Sequence, residues 1–104
     1  MHNIEIESAL KLISANLPVD WLKNEILYRS FDGAIDLTER YQKNNSDDWE
    51  AFDAGGFDLM DILDRHRDES GDHGTEKWTQ IRLSMRKGAL PEVTYGYGDP
   101  KILY

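Results

Sequence analysis

WLKNEILYRSFDGAIDLTERY (residues 21–41) decides how this chain folds. Asp32-Gly33 at its middle is a two-residue turn signal, because a type I′ turn needs positive φ at both central residues. The run before it, Trp21 to Phe31, reads as a strand carrying Ile26, Tyr28 and Phe31 among polar positions. The run after it, Ala34 to Tyr41, alternates Ile35, Leu37 and Tyr41 with Asp36, Thr38 and Arg40. That period of two marks a half-buried strand, so the stretch is an antiparallel hairpin.

Upstream, Ile6, Ala9, Leu10, Ile13 and Leu17 fall on one helical stripe, which predicts a helix over 3–17. Glu5 and Glu7 suit its positive end, and Pro18 stops it. Downstream, 42–56 is polar and irregular, with Asn44-Asn45-Ser46 as a turn and Ser46 placed to cap Asp47 and Asp48. Gly55-Gly56 permits a bend. A second helix is predicted over 57–69, ended by Ser70-Gly71.

Trp78 to Met85 alternates again, with Thr79, Ile81, Leu83 and Met85 on one face. Arg86-Lys87-Gly88 turns, Pro91 opens the last strand where its missing donor is harmless, and Val93, Tyr95 and Tyr97 share a face. The expected fold is therefore α+β in the order α-β-β-α-β-β. Its simplest architecture packs two helices on one face of a four-stranded antiparallel sheet, as one domain over 1–104.

The 104 residues include no cysteine, which removes disulfides and thiolate chemistry and suits a reducing compartment. The N-terminus lacks a basic region followed by an apolar run, so no signal peptide is expected, and no apolar run spans a bilayer. The net charge of −8 is unevenly spread. Residues 44–76 hold eleven acids against Arg65 and Arg67, whereas the remainder has nine acids and ten bases. Such a field repels nucleic acid and anionic membranes and attracts basic proteins or cations.

On the second helix Leu59, Ile62, Leu63 and His66 share one face, and Asp61, Asp64 and Asp68 fall in a narrow arc on the opposite one. With Asp58 and the loop acids Asp47, Asp48 and Glu50, this arc is the candidate partner-binding surface. The bland alternative is an ordinary solvated helix face. Trp49, between Asp48 and Glu50, has the profile of an interface anchor with an electrostatic rim. Equally, it clamps the loop onto the helix.

His66 and His73 flank Asp68, Glu69 and Asp72, which suggests a metal or acid–base role. His66, however, lies on the apolar stripe and reads as a packed side chain, and His73 sits in a glycine-rich turn. No calcium-loop spacing, nucleophile motif or phosphate-cradling glycine loop is present, and Gly96 and Gly98 read as small gaps in an edge strand. Neither an enzyme nor a cofactor is expected.

The segment Trp78-Thr79-Gln80-Ile81-Arg82-Leu83-Ser84-Met85, then Lys87-Gly88, then Val93-Thr94-Tyr95-Gly96-Tyr97-Gly98-Asp99, resembles the closing hairpin of the YezG-like immunity proteins. The leading helix and the Asp32-Gly33 hairpin sit where that family places them. The resemblance implies a cytoplasmic immunity protein that binds and neutralises a cognate toxin domain, many such toxins being nucleases with basic sites. A generic acidic adaptor or nucleic-acid mimic, and a small metal-dependent enzyme using the carboxylates and His73, are the alternatives. Oligomeric state stays open.

Overall fold

The computed structural model describes residues 4–70 and 77–100. Helix α1 (Ile4–Asn16) leads into strands β1 (Trp21–Phe31), β2 (Ala34–Lys43) and β3 (Glu50–Ala51). Helix α2 (Gly56–Ser70) then crosses to β4 (Gln80–Arg86) and β5 (Glu92–Gly96). The expected α+β class holds, with one correction. The sheet has five antiparallel strands, in the order β3-β2-β1-β4-β5. The extra strand is a two-residue pairing of Glu50 and Ala51 with Tyr41 and Arg40, too short to show an alternation.

The hairpin turn is the one its chemistry demands. Asp32 and Gly33 both take positive φ, 51° and 83°, and the strands stay in register from Phe31↔Ala34 to Lys23↔Gln42. A register shift between Trp21 and Lys23 closes the ladder.

Even-numbered residues of β1 decide where the core lies. Ile26 and Tyr28 are fully buried, and their partners Leu83 and Ile81 on β4 are buried with them. Leu37, opposite Tyr28 on β2, packs against the same cluster. Onto this face come Ile6, Ala9 and Ile13 of α1 and Leu59 and Leu63 of α2. Trp78 is buried in the cluster and Trp21 packs on its edge. From Lys23 to Arg29 the odd-numbered residues of β1 lie on the opposite face, which neither helix covers. The register shift before Lys23 is what lets odd-numbered Trp21 reach the core side.

Side chains fix the helix ends. Asn16 Nδ2 donates to the Leu12 carbonyl at 2.9 Å and to that of Ala54 at 3.4 Å, joining the end of α1 to the approach to α2. At the start of α2, Glu39 Oε2 accepts the backbone N–H groups of Ala54 at 2.7 Å and Gly56 at 3.4 Å. A carboxylate there meets both unsatisfied donors and the positive end of the helix dipole. Among the described residues, no helix is long and apolar enough to cross a membrane.

Candidate functional site

The candidate acids separate into two groups. On α2, Asp58 and Asp61 are exposed and lie within one arc with Asp68. No ion pair among the described residues reaches Asp58 or Asp61. Arg65 shares that arc without pairing to either, and Asp68 is 3.6 Å from Lys77 in a solvent-exposed pair of small energetic weight. Asp47 and Asp48 are also exposed. Ser46 caps their turn as expected, its Oγ accepting the Asp48 N–H at 3.2 Å. The Asp47 carbonyl takes a 2.8 Å hydrogen bond from Gln42 Nε2, which holds the loop against β2. Glu50 is 3.4 Å from Lys43.

Asp64 departs from the expected ridge. It is half-buried, and its carboxylate accepts the hydroxyl of buried Tyr28. At 100° per residue it lies only about 40° beyond Asp68, yet that edge of the arc meets Tyr28 of β1 and not solvent. Burial first, and the hydrogen bond to Asp64 second, push the Tyr28 hydroxyl above its ordinary pKa.

Trp49 departs from it further. Acidic in sequence, its surroundings are cationic in space. The Arg40 guanidinium lies 4.3 Å from the ring centroid and the Lys23 ammonium 5.5 Å away. Pairing of Ala51 with Arg40 sets this odd-numbered segment over the helix-free face. The ring is 37% exposed and stacked on two cations. Trp49 and the α2 acids therefore stand on opposite layers of the molecule and form no single patch. Nor does Trp49 clamp its loop onto α2.

The helix-free face carries features that composition hides. Arg40 donates to Glu25 at 2.6 Å, Arg82 approaches the same carboxylate at 3.9 Å, and Arg29 binds Asp36. Lys23, Arg40, Arg82 and Arg86 gather on one side because β1, β2 and β4 place them there by alternation. A shallow depression of about 300 Å³ lies between Trp49 and the β4–β5 connection. The alternation of Lys23, Glu25 and Leu27 against Asn24, Ile26 and Tyr28 carries the signal for this face.

His66 is a packed residue, as its place on the apolar stripe predicts. It is 8% exposed, its Nε2 is 2.7 Å from the Tyr95 hydroxyl, and its ring lies 5.8 Å from that of Trp78. Burial lowers its pKa below the ordinary 6.5, against a smaller opposite pull from Glu69. A depressed folded-state pKa means that the fold favours neutral His66. Its contribution is whole above pH 6.5 and is lost as pH falls from there through the folded value. Thermal unfolding measured across that window should show stability declining with acid, and His66→Gln should flatten the decline. His73, Asp72 and Glu76 lie outside the described residues. Among the described residues no group of three or more His, Asp or Glu is placed to hold a metal ion.

No protein-family model matches the chain, and no curated protein matches it in sequence.

Proposed function

We propose that this chain is a cytoplasmic immunity protein that neutralises a basic toxin domain, a nuclease in the simplest case, by stoichiometric binding without turnover. One observation carries the reading. Its acids divide between those the fold uses and those it leaves free. Glu25, Asp36, Glu39 and Asp64 are spent on cross-strand pairs, a helix start and a buried hydroxyl. Asp47, Asp48, Asp58 and Asp61 stand exposed with no ion pair to any described residue. Asp58 also suits the positive end of α2, but the carboxylates of Asp47, Asp48 and Asp61 serve no contact among the described residues, and a basic partner is the economical account of them. The YezG-like closing hairpin supplies the class of partner. No cofactor, nucleic acid or membrane enters this reading.

Opposed charge mainly accelerates encounter and sorts partners, while affinity rests on a few anchors. The variant Asp47→Asn/Asp48→Asn/Asp58→Asn/Asp61→Asn should therefore fold normally. It should bind the toxin domain encoded beside its gene about tenfold more weakly at low salt, chiefly through a slower on-rate, with the difference fading as salt rises. Surface plasmon resonance over a salt series reads all three. Unchanged low-salt kinetics would remove these acids from the contact. Failure of the wild-type chain to bind that domain, or to protect growing cells from it, would overturn the immunity reading itself.

A further inference from the structure

The helix-free face obeys a simple rule with one exception. Where charged residues oppose each other across its strands, their signs differ: Arg29 faces Asp36, and Glu25 faces Arg40. Lys23 faces Arg86. Directly opposed side chains on one face stand close, and like charges there destabilise the pairing. Neither cation is neutralised from within. Glu25, the nearest acid in register, is taken by Arg40 and Arg82, and no carboxylate among the described residues lies within ion-pair reach of Lys23 or Arg86. Both line the depression beside Trp49, whose far side is formed by Leu90, 88% exposed.

We infer that this depression receives one carboxylate, an Asp or Glu side chain presented by a protein partner. The two unneutralised cations supply the charge match. Trp49 and Leu90 supply apolar walls for the chain on either side of it, Trp being the residue type most often found as an energetic anchor. Glu25 and Glu92 also line the site. Two resident acids penalise a dianionic phosphate more than a singly charged carboxylate, so the ligand is a carboxylate. The site lies on the opposite layer from Asp58, Asp61 and Asp68, and of the proposed toxin contact only Asp47 and Asp48 adjoin it, through Trp49.

The test is a backbone-amide NMR titration with acetyl-Glu-NH2, acetyl-Gln-NH2 and inorganic phosphate in parallel, at ionic strength held constant with NaCl. Acetyl-Glu-NH2 should move the signals of Lys23, Trp49, Ser84 and Arg86 in a saturable way, at least fivefold more tightly than acetyl-Gln-NH2. Arg86→Gln should abolish the binding. It should also raise the unfolding temperature by about 2–4 °C, because it removes an unfavourable cross-strand pair. Lys23→Gln repeats the test from the other strand. Equal binding of the Gln compound, tighter binding of phosphate, no saturable shift, shifts that survive Arg86→Gln, or a lowered unfolding temperature for Arg86→Gln would each overturn the inference.

Discussion

Gly55→Ala is expected to lower stability by about 2–6 kcal/mol. Two independent terms add. Gly55 has φ of 146°, a backbone region that side-chain-bearing residues rarely adopt, and holding one there costs roughly 1–3 kcal/mol. A Cβ at this position would also stand 2.6 Å from Leu12 Cδ2, 2.9 Å from Leu12 Cγ and 3.1 Å from Leu59 Cβ. These atoms belong to α1 and α2, and overpacking of that kind costs about 1–3 kcal/mol more. Urea unfolding measures the sum, and a second substitution separates the terms. In a Leu12→Ala background the two contacts with Leu12 are relieved while the approach to Leu59 Cβ and the strain remain, so Gly55→Ala should cost less there, by up to about half. An equal cost in both backgrounds would assign the whole effect to the backbone and Leu59. Against a total stability of about 5–15 kcal/mol, the full loss puts the fold near its threshold.

Asp64→Ala should cost about 1.5–3 kcal/mol, while Asp61→Ala, three residues earlier on the same helix, should stay within about 0.5 kcal/mol. The two aspartates look equivalent in sequence. Only Asp64 binds Tyr28, and its removal leaves that hydroxyl buried without its acceptor. The pair also governs alkaline stability. Because the Tyr28 pKa is raised in the fold, its contribution is complete below the ordinary tyrosine value of about 10. It is lost as pH rises from there toward the folded value. Tyrosinate absorbance should therefore show late titration of Tyr95, which burial also raises, and of Tyr28. Asp64→Ala should bring Tyr28 part of the way back and no further, since burial is the larger cause and persists. Equal destabilisation by Asp61→Ala and Asp64→Ala would contradict this division of roles.

What was legible in the sequence was what local chemistry dictates. Asp32-Gly33 names its own turn, and the alternation after it puts Leu37 and Tyr41 on the core side, although Ile35 in the same series is 49% exposed because it lies next to the turn. The stripe on α2 likewise placed His66 inside. What escaped depends on pairing between distant segments. Strand β3 is two residues long, and only its bond to β2 makes it a strand. That same pairing turned Trp49 away from its acidic neighbours and onto Arg40 and Lys23, so reading its environment from adjacent letters gave the wrong sign. Asp64 was misplaced for a related reason. A helical wheel gives an angle, and whether a flank meets solvent or a neighbouring tyrosine depends on how the helix sits on the sheet. The depression beside Trp49 combines three separated segments, and no single one of them announces it.

Strand β1 lies at the centre of the sheet, yet its two neighbours arrive at different times. β2 follows it through a two-residue turn, so that seam closes by a local step. β4 begins at Gln80, and its seam with β1 requires closure of a long loop containing β3 and α2. During synthesis the growing chain thus carries a finished hairpin whose β1 edge is still unpaired, its apolar even-numbered side awaiting both α2 and β4. Of the two seams, the one made by docking that last hairpin carries the larger loop-closure cost. Until it docks, the exposed edge of β1 is the segment most prone to pair with another molecule.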